Sequence, residues 1–216
     1  RAIPDLGLPG FRPPYAPITW GALAGHHRGQ DFRPKRLPPS HAWAIENGAV
    51  FAEAGPWLRA QWYQRPDETS WQESVSREAA AVRRSVGICD VSTLGKIDIQ
   101  GPDAAAFLDR VYVNTFSTLK VGRARYGLML REDGFAMDDG TTSRLGEHHF
   151  IMTTTTANAG KVMQHLEFCR QVLWPELNLR LVSVSDQWAQ YSIAGPRARD
   201  VLAKLVDAPF DISNED

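Results

Sequence analysis

The sequence lacks most of what would mark a specialised environment. Only two of its 216 residues are cysteine; Cys89 and Cys169 stand far apart with no ligand partner at zinc-site spacing, which argues against a disulfide scaffold or a structural metal. They read as buried thiols in a reducing, cytoplasmic compartment. No apolar run approaches the roughly 18 to 20 residues of a membrane-spanning helix, and the N-terminal residues carry no apolar signal-peptide core. Charge of one sign is missing too: 24 Lys plus Arg stand against 25 Asp plus Glu, a net charge of −1, so the chain has no electrostatic footprint for nucleic acid or an anionic membrane. Gly101-Pro102 follows a strand-like run, but neither the glycine pattern of a dinucleotide fold nor the Gly-Lys-Ser/Thr of a phosphate loop is present.

What is present is ample apolar content, 43% of residues, unevenly distributed. Residues 1–70 hold ten of the fourteen prolines together with Trp20, Trp43, Trp57 and Trp62. Proline fixes φ and removes a donor, so this segment is expected to be an extended arm with little regular structure, its aromatics, Tyr15 included, packed against another surface. His26, His27 and His41 fall in the arm without carboxylate or thiol ligands at suitable spacing, which favours surface or interface roles. The chain starts Arg-Ala and stops at Asp216 soon after a helical pattern, so it reads as a fragment.

From Ser70 the pattern turns helical: Val75, Ala79, Val82 and Val86 recur at spacings of four and three, and Gly87 ends the run. A strand is expected over 96–100. Gly101-Pro102-Asp103 then starts a helix with Ala105, Leu108 and Val111 inward. This strand, Gly-Pro turn and helix recur, since the run 99–108 (IQGPDAAAFL) is echoed by 193–202 (IAGPRARDVL). Between the copies, 157–173 reads as a helix with Val162, Leu166 and Cys169 on one side, Pro175 breaks it, and 179–193 supplies one or two more strands. Strands joined by hairpins, with few parallel crossovers, give an α+β fold in which helices pack on an antiparallel meander. The domain division is then 1–70 for the arm and 71–216 for the folded part.

The most informative stretch is 123–156. Tyr126, Leu128 and Leu130 alternate with Gly127, Met129 and Arg131 as in a half-buried strand, Glu132-Asp133-Gly134 supplies a turn, and the chain returns from Phe135 to Leu145 before turning at Gly146-Glu147 into Phe150 to Thr156. In the middle lies Asp138-Asp139 beside Gly140, which is either a turn element or the centre of chemistry. Neighbouring strand residues face opposite ways, so the two carboxylates serve one site only where a bulge intervenes; otherwise one is functional and the other solvated or capping.

Three stretches, VGICDVSTLGKIDIQGPDAAAFLDRVYVN, GRARYGLMLREDGFAMDDG and FIMTTTT, resemble in order the folate-binding module of the glycine-cleavage aminomethyltransferase family over about residues 75–216. With the arm motif FRPPYAPITWGALAG and with MTTTTANA, the resemblance extends over the whole chain to the C-terminal half of the α subunits of heterotetrameric sarcosine oxidases. It implies an enzyme in which a flavin elsewhere in the complex oxidises the N-methyl of sarcosine to an imine, and a tetrahydrofolate site captures the one-carbon unit as 5,10-methylenetetrahydrofolate, with glycine and hydrogen peroxide as co-products. Flavin (FAD or FMN) and NAD would be held by other parts of the complex, and the partners would be the β, γ and δ subunits and the N-terminal half of the same subunit. The family's essential aspartate falls on Asp139, beside Asp138, and its polar residue near the pterin falls on Thr155, a shorter side chain than the usual Asn. Tyr126 and Leu94 match pocket positions, with core packing as the alternative. The family's later pterin-binding Glu and Arg would lie beyond Asp216. A stand-alone aminomethyltransferase, the folate half of a dimethylglycine dehydrogenase and a non-catalytic subunit-docking module are the competing readings.

Overall fold

The computed structural model describes residues 35–206 together with Thr19 and Ile212. From Arg36 onward the chain makes one compact unit. Its centre is a five-stranded sheet in the order β5-β6-β7-β4-β8, every neighbouring pair antiparallel. The strands are β4 (Gly95–Gln100), β5 (Ala124–Leu130), β6 (Ala136–Gly146), β7 (His149–Thr154) and β8 (Arg180–Ser183). The expected α+β meander is therefore the fold.

Period-two alternation decides which face is covered. Ile97 and Ile99 of β4, Met129 of β5 and Phe150 and Met152 of β7 point to one side. There they meet Ala104, Phe107, Leu108 and Val111 of α3 (Ala104–Val111) and Val162 and Leu166 of α4 (Ala159–Phe168). Ala105, expected inward, is only half-buried, because the helix turns Ala104 and Phe107 to the sheet instead. The other sheet face is open, exposing Tyr126, Leu145 and Val182. The helix expected over 157–173 begins at Ala159, and Cys169–Leu173 forms a π turn before Pro175 stops the run.

The two Gly-Pro units are real. β4 leads through Gly101 into α3, and β9 (Tyr191–Ala194) leads through Gly195 into α5 (Ala198–Leu202). Gly101 and Gly195 have φ of +143° and +113°, and a Cβ at either would sit 2.4 Å from a backbone carbonyl, of Asn178 and Val82 respectively. β9 pairs with β3 (Gly87–Asp90) in a separate two-stranded ribbon.

The arm differs from expectation in its second half. Residues 36–63 form α1 (His41–Glu46) and a hairpin of β1 (Ala49–Ala54) and β2 (Trp57–Tyr63). The prolines that suggested irregular chain stand where neither element needs an amide: Pro38 and Pro39 before the helix, Pro56 in the hairpin turn, Pro66 after β2. Trp57 is buried and Trp62 packs near Trp71, but Trp43 is 55% exposed with only an edge contact to Tyr63. His41 packs on Phe51, with ring centroids 4.7 Å apart. Tyr15, Trp20, His26 and His27 lie outside the described residues.

Helix α2 (Trp71–Arg84) starts with a capping box in which the Ser70 hydroxyl and the Glu73 carboxylate reciprocally bond the Glu73 and Ser70 amides. It turns Ser74, Arg77 and Glu78 toward the hairpin and leaves Val75 and Ala79 exposed. Polar anchoring overrides the first half of the apolar stripe, since Glu68 accepts from Ser74 and Arg77, and Arg77 also donates to the Tyr63 carbonyl, while Val82 and Val86 further on are half-buried. Cys169 is buried as expected; Cys89 is not, because the short β3–β9 ribbon leaves its side chain uncovered, near the guanidinium of Arg59.

Candidate functional site

Strands β5 and β6 pair residue for residue from Ala124 opposite Ser143 to Met129 opposite Asp138, and then Leu130 faces Ala136. The slip leaves Met137 as a one-residue bulge immediately before the carboxylate pair. On its other edge β6 pairs with β7 only from Thr142 onward. The ladder ends there because the Thr153 hydroxyl accepts from the Thr141 amide at 2.9 Å and donates to the Thr141 carbonyl at 3.1 Å, a local bond competing with the sheet. Gly140 permits this approach, since a Cβ on it would lie 2.0 Å from the Thr153 carbonyl oxygen. The first half of β6, carrying both aspartates, thus stands free of β7.

Asp138 points to the helix-covered side and is 6% exposed. Its carboxylate accepts from the Thr155 amide at 3.0 Å, the Thr155 hydroxyl at 2.5 Å and the Asn158 side-chain amide at 3.3 Å. Asn158 also donates to the Met137 carbonyl at 3.2 Å, so it pins the bulge to the start of α4. Asp138 is therefore neither solvated nor idle; it ties β6 to the segment that leaves β7. Asp139 points to the open side, where the hydroxyl of Tyr126, a residue 60% exposed, donates to its carboxylate. Because β6 ends free of β7 at this point, both carboxylates reach one cavity of about 320 Å³, lined also by Tyr126, Leu128, Thr155 and Asn158. Behind it the ring of Tyr112 packs over Gly127, where a Cβ would come within 2.8 Å of it. Burial, reinforced by the charges of Asp138 and Asp139, pushes the Tyr112 hydroxyl upward, so it stays neutral.

Four of the five residues expected at the site, Tyr126, Asp138, Asp139 and Thr155, come together. Leu94 does not line the cavity; it is half-buried on the β3–β4 turn, its carbonyl accepting from Lys96 Nζ at 3.0 Å. Asn158 was missed. An Asn just before a helix reads as a cap, and nothing in the sequence signals that its amide goes to Asp138 instead.

The chain belongs to the GCVT N-terminal domain family, whose model matches residues 40–216. It is 60% identical over 210 residues to the sarcosine oxidase subunit alpha of Rhizobium meliloti (strain 1021), covering 97% of this chain and 21% of that protein. It is 48% identical over 211 residues to the subunit of the same name from Corynebacterium sp. (strain P-1), covering 98% and 22%. The chain thus spans about a fifth of the length of these curated relatives. In three dimensions it resembles the glycine cleavage system aminomethyltransferase T from Bartonella henselae, with a TM-score of 0.68 and 25% identity over 78% of this chain and 43% of that one.

Proposed function

We propose that the chain is the part of a sarcosine oxidase α subunit that binds tetrahydrofolate and captures the one-carbon unit released when sarcosine is oxidatively demethylated, with Asp139 as the catalytic carboxylate. The observation that carries this reading is the Asp139–Tyr126 pair at the mouth of a cavity whose inner wall is locked by Asp138, Thr155 and Asn158. These groups fit part of a reduced folate: a carboxylate for an amine nitrogen, an exposed phenol ring and Leu128 for the flat apolar body. The identity to sarcosine oxidase subunits alpha supports the same reading.

Tetrahydrofolate supplies the amine nitrogens to which the one-carbon unit becomes bonded. Asp139 accepts the proton lost from that nitrogen and, while ionised, stabilises the cationic charge that develops beside it. Tyr126, donating to the same carboxylate, fixes which oxygen faces the substrate. Asp138 accepts three hydrogen bonds from Thr155 and Asn158 and is buried, so it holds the wall while Asp139 serves the substrate. Flavin and NAD belong to other parts of the complex in this reading, and the partners are the remaining subunits and the rest of the α chain. The two free thiols fit a reducing cytoplasmic compartment. Titrating the intact protein with tetrahydrofolate while trapping 5,10-methylenetetrahydrofolate tests it. Stoichiometric binding with product formation is expected; binding without product would reduce the chain to a folate receptor, and no binding would leave a docking role.

A further inference from the structure

We propose that Gly55, at the tip of the β1–β2 hairpin, is a positioning residue for one-carbon capture: it braces the backbone of Thr156 and Ala157, between the two residues that hold Asp138. The inference rests on the folate reading.

Ala54 pairs with Trp57, so the hairpin turns in two residues, Gly55 and Pro56. Such a turn takes glycine at its first position when φ is positive there, and Gly55 has φ of +55°. The tip is stiff. Arg36 bridges to it, its amide donating to the Pro56 carbonyl and its carbonyl accepting from the Leu58 amide, each at 2.9 Å. The Arg36 guanidinium lies over the ring of Trp57, which is buried, and Pro56 fixes its own φ. A tip built this way can transmit position to whatever it touches.

It touches the segment that leaves β7. A Cβ on Gly55 would lie 3.3 Å from both the Thr156 carbonyl oxygen and the Ala157 Cα, close enough that this segment would have to move by a few tenths of an ångström. The segment is itself tied down, since the buried Thr156 hydroxyl is hydrogen-bonded to that of Thr93 at 3.1 Å. On one side of the contact stands Thr155, which gives Asp138 an amide and a hydroxyl; on the other stands Asn158, which bonds both Asp138 and the Met137 carbonyl. Pressure at 156–157 therefore reaches the Met137 bulge, and with it the place of Asp139 on β6. Thr155 and Asn158 also line the cavity, which Gly55 does not. Gly55 acts only through this segment.

The test is equilibrium binding of tetrahydrofolate to the intact protein, with the yields of 5,10-methylenetetrahydrofolate and formaldehyde from sarcosine, for the wild type, Gly55→Ala, Gly55→Asn and Gly48→Ala. Asn tolerates positive φ and so keeps the turn, but it carries the same Cβ. Gly48, with φ of +76°, is the control: a Cβ there would lie 2.9 Å from the Gln64 carbonyl oxygen, so its alanine variant strains the base of the same hairpin without pressing on 156–157. Both Gly55 variants are expected to weaken tetrahydrofolate binding by about tenfold and to divert product to formaldehyde, with sarcosine oxidised at the wild-type rate. Gly48→Ala is expected to lower Tm and to leave binding and product ratio unchanged. Wild-type binding in Gly55→Asn would trace the effect to strain in the turn, and an equal loss in Gly48→Ala would trace it to general destabilisation. Either result overturns the brace, as does unchanged binding in both Gly55 variants, and each leaves the folate reading intact. Absence of tetrahydrofolate binding by the wild type overturns both.

Discussion

Asp138 and Asp139 are adjacent in the chain yet face opposite sides of β6: Asp138 is held by Thr155 and Asn158 against the helices, and Asp139 accepts from the Tyr126 phenol on the open face. The two substitutions should therefore separate stability from chemistry. Asp138→Ala strands the Thr155 amide and hydroxyl and the Asn158 amide, at about 1–3 kcal/mol for each buried group left unsatisfied, so a loss of at least about 2 kcal/mol is expected. Asp139→Ala, at a partly exposed site, should stay within about 1 kcal/mol. Urea unfolding of the two variants measures both.

Gly140 should not tolerate a methyl group. Its Cβ would overlap the Thr153 carbonyl, which is backbone and cannot swing aside, so Gly140→Ala must push β6 and β7 further apart. Overpacking of this kind costs about 1–3 kcal/mol, and the split that frees the aspartates would be deformed with it. Thermal unfolding should show a lower Tm for Gly140→Ala, whereas Gly160→Ala, whose Cβ meets nothing within 4 Å, should not lower it.

The anchor between the hairpin and α2 should weaken in acid. Hydrogen bonds from Arg77, then Ser74, lower the Glu68 carboxyl from 4.5 to about 2. A folded pKa below the unfolded one means that the stabilisation is fully present above about pH 4.5 and is lost as pH falls toward 2. Arg77→Met should remove most of that pH dependence, measurable as a flatter stability profile between pH 4.5 and 2. An unchanged profile would place the acid sensitivity elsewhere.

Burial in the main core predicts its weak points. Phe107 is fully buried, sits edge-on to Trp174 at 5.9 Å, and has no room to relax outward. Phe107→Ala should cost about 3–5 kcal/mol, read as a lower urea midpoint at unchanged slope.

How much of this was legible depended on whether local chemistry or distant packing made the decision. The meander was readable because Tyr126, Leu128 and Leu130 alternate cleanly and Gly134, at φ of +83°, punctuates the turn. The Gly-Pro repeat was readable because both glycines must adopt positive φ. The hairpin at 49–63 was not, since Pro56 looks like a breaker until it is seen in the turn. The helix α2 was readable from the spacing of Val75, Ala79 and Val82, but not which side it buries, because Glu68, outside the helix, draws Arg77 and Ser74 toward itself at the expense of Val75. At the site, strand register told only that the two aspartates face opposite ways, and the choice of Asp139 and Tyr126 came from the family resemblance; Asn158 and the Met137 bulge depend on where β7 lets go of β6, a contact twelve or more residues away that no local pattern carries.

The central claim is that Asp139 is the base in one-carbon capture, and the partition of product tests it most directly. In the intact enzyme supplied with sarcosine, oxygen and tetrahydrofolate, the yields of 5,10-methylenetetrahydrofolate and free formaldehyde are measured for the wild type and for Asp139→Asn. Removal of a positioned general base costs about 10² to 10⁴ in rate, so the variant should oxidise sarcosine normally and release formaldehyde in place of the folate product. An unchanged ratio of the two products in Asp139→Asn, with tetrahydrofolate still bound, would contradict the assignment.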